Sequence, residues 1–234
     1  MKREAKHEIR FTKYRMQILI TAGGTREYID PVRFISNASS GKMGYALARA
    51  ALRAGHKVTL ISGPTSQRKP SGAKVVEVET AAQMYEAVKK HFGRCDCLIM
   101  AAAVADYTPA HRAKAKIKKS NKPVTIKLKP TADILRWAGK HKEVKSKKAK
   151  GKGQIVVGFA LEDKNLRENA ERKLKDKNLD IIIANFPAAI GADKSDVHMK
   201  ARASSWTKIQ NATKAATAKK IIREAEKLHR AKLS

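Results

Sequence analysis

Two short stretches hold the residue types that handle phosphate. From Ile35 to Gly44 the chain reads ISNASSGKMG, which places Ser39, Ser40, Gly41 and Gly44 at the start of a helix. Unpaired backbone N–H groups and the helix dipole favour an anion there. The stretch is not a Walker A loop, because Met43 follows Gly41-Lys42 and Ser36 stands where the first glycine belongs. The preceding TAGGTREY lacks the G-x-G-x-x-G spacing of a dinucleotide fingerprint. Local physics supports a phosphate cradle and an ordinary Ser-capped helix with a closely packed glycine equally. Asp106, in AVADY after an apolar run, suits a metal or ribose contact, and equally a turn or helix cap. Lys116-Ile117-Lys118-Lys119 can neutralise phosphates, although in a chain this basic a lysine cluster is more often solvated surface. The seven histidines show no H-E-x-x-H or related pattern, and no Ser–His–Asp arrangement follows from spacing.

The elements that position these residues alternate in type. Met16 to Thr21 (MQILIT) is an apolar run of β-formers ending at Ala22-Gly23-Gly24, as in a buried parallel strand. A helix is expected from Lys42 to Ala54, stopped by Gly55, with Met43, Leu47, Ala50 and Ala54 at helical spacing. Strands are expected at 57–62, 74–79, 97–104, 155–159 and 179–184, with helices over 81–92 (capped by Thr80) and 164–178. Such alternation predicts an α/β fold, a Rossmann-like doubly wound and mainly parallel sheet. A small additional β segment is expected from VTIKL (124–128), and strand character recurs over 196–210 before a final helix from Lys214. Residues 1–15 read as a basic N-terminal extension, 16–234 as a single domain, and 138–153 as a flexible basic loop. In a parallel sheet the ligand lies beyond the carboxyl ends of the strands, so the segments to inspect include Gly23-Gly24, Gly63-Pro64, Ala101 to Asp106, Gly158 to Ala160 and Ala184-Asn185.

Composition bounds the function class. Hydrophobic residues are 42% of the chain, enough for a core, and aromatics only 5%, so Ala, Val, Ile and Leu must build it. No apolar run is long enough to span a membrane and the N-terminus lacks a signal-peptide pattern, so a cytoplasmic location is expected. Two cysteines, Cys95 and Cys97, are too few for a disulfide framework; in one strand they would share a face. Lys plus Arg (51) outnumber Asp plus Glu (21), giving +30, a field that attracts polyanions without choosing among them. Because the excess is spread along the chain and no aromatic cluster accompanies it, specific nucleic-acid binding is not expected, only weak salt-sensitive retention. An NAD(P)-dependent oxidoreductase is disfavoured, since Ser62-Gly63-Pro64 follows the second strand where an acidic ribose ligand belongs.

An ordered set of motifs narrows this further: GGTRE (23–27), DPVRFISN (30–37), SSGKMG (39–44), ISGP (61–64), AAVADY (102–107), KIKK (116–119), ADIL (132–135), GFALE (158–162), the KNLD run with Lys173 and Lys177, and Ala184-Asn185. Over roughly 16–230 this set resembles bacterial-type phosphopantothenoylcysteine synthetase. The resemblance implies a ligase of coenzyme A biosynthesis that activates 4′-phosphopantothenate with CTP (ATP in some relatives) and Mg²⁺, then joins it to cysteine. It implies that Asn37 and Lys116 are catalytic. It implies nucleotide contacts from Gly23, Ser39, Gly41, Gly44, Asp106, Asp133, Ile134, Phe159, Lys173, Lys177 and Asn185. Arg33, Ala102 and Ala103 would contact the pantothenate substrate, Arg33 across a homodimer. The metal ligands are not named by it, and a separate phosphopantothenoylcysteine decarboxylase is implied. Ala132 stands where the family often has proline.

Overall fold

A computed structural model describes residues 14–142 and 153–233. Its centre is an eight-stranded sheet. Strands β1 (Gln17–Ala22), β4 (Lys57–Ser62), β5 (Lys74–Glu77), β6 (Cys97–Met100), β9 (Ile155–Leu161) and β10 (Ile181–Asn185) pair in parallel, in spatial order β5-β4-β1-β6-β9-β10. Two antiparallel strands, β11 (Lys194–Ala201) and β12 (Thr207–Thr213), extend the β10 edge. The chain thus builds outward from β1 to β5, returns to β6 on the other side of β1, and builds outward again. The order reverses between β1 and β6, which opens a crevice at their carboxyl ends.

Alternation along the strands feeds two cores. Ile18, Ile20, Leu60, Ile99 and Val157 point to one face, under α1 (Lys42–Arg53) and α5 (Lys214–Leu233). Leu19, Ile61, Leu98, Val156 and Ile182 point to the other, under α2 (Ala81–Phe92), α3 (Ile134–His141) and α4 (Leu166–Asp176). All of these side chains are almost fully buried, each contributing about 1.5–3 kcal/mol by removal from water. The buried His56 accepts the Met16 N–H at Nδ1 (3.3 Å) and meets Glu226 at Nε2 (2.9 Å), which ties α5 to the start of β1.

Two short hairpins stand apart from the sheet: β2 (Arg26–Tyr28) with β3 (Phe34–Ser36), and β7 (Tyr107–Pro109) with β8 (Leu128–Pro130). The first is anchored by Glu27, a buried carboxylate that accepts the Ala81 N–H (2.8 Å) and so serves the N-terminus of α2. Thr80 completes that end with a capping box to Gln83.

Four expectations change. The segment 124–127 forms no strand and is exposed; only Leu128 of VTIKL enters β8. Alternation makes a strand only where a neighbour supplies a ladder, and here Lys127 O accepts one backbone bond, from the Ala110 N–H (2.8 Å), without a ladder forming over 124–127. The strand expected over 97–104 ends at Met100 and persists beyond it as a single bridge between Gly24 and Ala103. Cys95 lies before β6 and packs into one core while Cys97 packs into the other, so they do not share a face. Of the loop expected over 138–153, residues 138–141 are the end of α3 and 143–152 lie outside the described residues. Residues 1–13 of the N-terminal extension likewise lie outside them.

Candidate functional site

The crevice between β1 and β6 is built from backbone held close by small residues. Ala103 N–H donates to Gly23 O (2.9 Å) and Thr25 N–H to Ala103 O (3.4 Å). Two buried threonines lock the facing strand end: Thr21 Oγ1 accepts the Ala102 N–H (3.1 Å) and Thr25 Oγ1 accepts the Ala105 N–H (3.0 Å). Asn37 reaches across from the end of the first hairpin, its Nδ2 donating to Val104 O (3.0 Å) and Ala103 O (3.4 Å). Asn37, Gly23, Ala102 and Ala103 are therefore brought together although they lie far apart in sequence.

Beside them, α1 begins at Gly41, which caps the helix in the left-handed region (φ 72°) with no side-chain cap. The Ser-capped alternative is thus not what forms. Ser39 Oγ accepts only a long bond from the Gly41 N–H (3.4 Å). A Cβ on Gly41 would sit 2.8 Å from Thr65 Oγ1, and one on Gly23 (φ 80°) 2.8 Å from Gly63 O, so neither position admits a side chain without displacement. Gly44 packs the first turn of α1 directly on Thr21 and Ala22. The result is a helix N-terminus opening on a glycine-lined crevice, an arrangement that holds phosphate through backbone N–H groups. Lys42 leaves that turn to meet Asp193 Oδ1 (2.8 Å) and Gly191 O (3.2 Å).

A charged cluster forms at the carboxyl ends of β6, β9 and β10. Asp133 caps α3, accepting the Arg136 N–H (2.9 Å), and pairs with Lys177 Nζ (2.8 Å) across 44 residues of sequence. Lys173 Nζ donates to Phe159 O (2.7 Å). Burial pushes the Lys173 pKa below its ordinary value, Lys177 pushes the same way, and Glu162, Asp133 and Asp106 oppose them. Asp106 is exposed, and its carbonyl accepts the Thr131 N–H (2.9 Å), joining the AVADY and ADIL segments. Asn185 ends β10 and its carbonyl accepts the Glu162 N–H (3.1 Å). Ile134 is buried against the sheet and presents no side chain to the cluster's polar groups.

Burial acts to raise the Asp133 pKa, but the Lys177 side chain and the Arg136 N–H outweigh it and the net shift is downward. A carboxylate with a depressed native pKa adds stability above its unfolded pKa and loses it as pH falls through the native one. Asp133→Asn keeps a good helix cap and removes only the charge. At neutral pH it is expected to destabilise by no more than about 1 kcal/mol, since the pair is partly exposed. The difference is expected to shrink in denaturant melts as pH falls below the ordinary carboxylate range and through the depressed native pKa. A difference that persists there would locate the effect in the cap.

Arg33 and Lys116 occupy a third group. Asp30, fully buried, accepts the N–H groups of Val32 (2.8 Å), Arg33 (2.8 Å) and Ile117 (3.1 Å) and is paired by the Arg33 guanidinium. Burial acts to raise its pKa, but the backbone N–H groups and Arg33 hold it well below the usual carboxylate range. Arg33 also donates to Ile117 O, so the KIKK segment is docked on the DPVR turn and Lys116 stands beside it, exposed. Among the described residues Lys116 makes no hydrogen bond with Asn37. Asp30, Thr21 and Thr25 were not singled out from sequence; the signal was present for Asp30 and Thr25, which sit inside DPVRF and GGTRE.

Among the described residues no cluster of three or more His, Cys, Asp or Glu side chains is placed to hold a metal ion, and no helix is long and apolar enough to cross a membrane.

A 43% identical stretch of 185 residues is shared with the coenzyme A biosynthesis bifunctional protein CoaBC of Borreliella burgdorferi, covering 78% of this chain and 45% of that one. The protein of the same name from Bacillus subtilis is 48% identical over 176 residues, 75% of this chain and 41% of the relative. The chain thus spans under half the length of these two curated relatives. A crystal structure of the C-terminal domain of CoaBC superposes with a TM-score of 0.75 at 39% identity, covering 91% of this chain and 94% of that domain. The DNA/pantothenate metabolism flavoprotein from Streptococcus pneumoniae has the same fold, with a TM-score of 0.78 at 24% identity, covering 92% and 100%. A family model matches residues 14–228, and the chain belongs to that family, the DNA/pantothenate metabolism flavoprotein C-terminal domain.

Proposed function

We propose that this chain is a phosphopantothenate–cysteine ligase of coenzyme A biosynthesis, with CTP as the activating nucleotide and ATP as the alternative. The observation that carries the reading is the Asn37 side chain seated on the Ala103 and Val104 carbonyls, beside the Gly41 helix start. That juxtaposition sets a polar amide where an acyl group would lie and backbone N–H groups where phosphates would lie. The relatives named for coenzyme A biosynthesis support it.

A carboxylate does not acylate an amine directly, so its oxygen must first gain a leaving group. The carboxylate oxygen of 4′-phosphopantothenate attacks the α-phosphorus of CTP, the bond to the β-phosphate oxygen breaks, and pyrophosphate leaves. The cysteine amine then attacks the acyl carbon; the acyl–oxygen bond breaks, CMP departs with its electron pair, and the amine loses a proton. Gly23, Ser39, Gly41 and Gly44 cradle the triphosphate. Asn37 turns an N–H from the carbonyls to the acyl oxygen as negative charge develops there. Lys116 meets phosphate charge on the exposed side. Asp106, Asp133, Phe159, Lys173, Lys177 and Asn185 surround base, ribose and phosphates, and Ala102 and Ala103 leave room for the pantothenate arm. Mg²⁺ would bind through the substrate phosphates and water and would offset the triphosphate charge. A phosphopantothenoylcysteine decarboxylase is the expected consumer of the product.

The test is pyrophosphate release by purified protein given 4′-phosphopantothenate, cysteine and Mg²⁺, with CTP and ATP in parallel. Release that requires phosphopantothenate and yields CMP once cysteine is added supports the ligase; no release with either nucleotide overturns it.

A homodimer is part of the proposal. Val32 (58% exposed), Phe34, Tyr107 (55%), Val124 (62%) and Leu128 leave apolar surface on the two hairpins, and Arg33 stands within it between Val32 and Phe34. Val124→Asp is expected to raise the dimer dissociation constant at least about tenfold, read by sedimentation velocity over a dilution series. An unchanged constant would place the interface elsewhere.

A further inference from the structure

At the amino ends of the strands, opposite the glycine-lined crevice, a cavity of about 580 Å³ opens between β1, β4, β5 and the end of α2. A six-residue strand separates the two ends, roughly 20 Å. Lys57 and Lys74 stand at the first positions of β4 and β5, Arg15 precedes β1, and His91 and Arg94 close the other side. Among the described residues the lining contains no Asp or Glu. Among the described residues the side chains of Arg15, Lys57, Lys74 and Arg94 enter no ion pair. Among the described residues, Asp96 accepts the N–H of the lining residue Gln17 (2.7 Å) and Glu226 meets the lining residue His56 (2.9 Å).

Several cations face a common concavity whose described lining holds no carboxylate, which focuses positive potential into one volume. We propose that this cavity binds a small multivalent oxyanion of the phosphate class, at a site separate from the nucleotide crevice. The anion supplies the counter-charge the lining lacks, and the forked guanidinium groups of Arg15 and Arg94 suit its geometry.

The cations already act on one another. Burial lowers the His91 pKa first, and Lys74, Lys90 and Arg94 lower it further. An anion seated among them favours the imidazolium, so binding raises the His91 pKa and, reciprocally, tightens as pH falls through the His91 titration.

The experiment follows the His91 ring by NMR titration in sodium sulfate, which stays divalent from pH 5 to 8, against sodium chloride at matched ionic strength. A saturable rise of the His91 pKa in sulfate beyond that in chloride is expected. The double variant Lys74→Gln/Arg94→Gln is expected to weaken sulfate binding at least about tenfold. Lys219→Gln, on the exposed side of α5, is expected to leave it unchanged. Parallel titrations with inorganic phosphate and glycerol 3-phosphate assign the source: tighter monoester binding supports an organic phosphate, equal or weaker binding a free oxyanion. Equal behaviour in sulfate and chloride, or full sulfate binding by the double variant, overturns the proposal.

Discussion

Asn37→Asp is expected to slow amide formation about 10²- to 10³-fold while leaving activation of the carboxylate largely intact. The native amide donates to the Val104 and Ala103 carbonyls. A carboxylate there has no N–H to give to an acyl oxygen, and its own charge opposes the charge that develops when cysteine attacks. The two half-reactions separate the roles. Pyrophosphate release without cysteine is expected to persist, whereas CMP appearance on cysteine addition is expected to fall. Asn37 is exposed, so stability should change by no more than about 0.5 kcal/mol, checked by melting the same preparation. Equal loss in both half-reactions would move Asn37 from the second step to nucleotide or substrate binding, and no loss would remove it from the chemistry.

The largest structural effect is expected from Gly139→Ala. Gly139 is buried in α3, and a Cβ at this position would overlap the carbonyl of Lys177 and press on that of Asn178. Both neighbours are backbone, so no flexible side chain can yield. The Asn178 side chain also donates to Gly139 O (2.9 Å), fixing the helix against the turn that follows α4. Alanine must push α3 off that turn, at about 3 kcal/mol or more, beyond the small gain it brings in helix propensity. For a domain of this size the melting temperature is expected to fall by roughly 6–12 °C. Since α3 carries Asp133 and the turn carries Lys177, the displacement also opens their ion pair. Binding of CTP, the proposed nucleotide, measured on the variant below its melting range, is therefore expected to weaken. An unchanged melting temperature would mean that α3 does not pack on the turn in this way.

Gly139 also marks where sequence reading stops. Nothing within α3 announces that its glycine is needed, because the atom that excludes a side chain comes from residue 177. The same separation hides the Asp133–Lys177 pair and the order of the strands. Cys97–Met100 is as apolar as Ile181–Ala184, and only the crossings of the chain decide that β6 lies beside β1 and β10 toward the edge. VTIKL alternates as a strand does but stays exposed from 124 to 127, since alternation does not supply a partner.

What the sequence determined by itself was local. Ala22-Gly23-Gly24 ends β1, Gly55 (φ 84°) stops α1, and Thr80 with Gln83 caps α2, each from side chains or backbone freedom within a few residues. The alternation of apolar runs with amphipathic stretches was enough for a mainly parallel sheet covered by helices on both faces, because each period buries one kind of surface. The motifs of the crevice were legible as a set gathered at the strand ends, but the contacts between them were not. Asn37 finds Val104 and Gly23 finds Ala103 only because the strand order reverses between β1 and β6. That reversal is a property of the whole packed sheet, decided when two cores are buried at once.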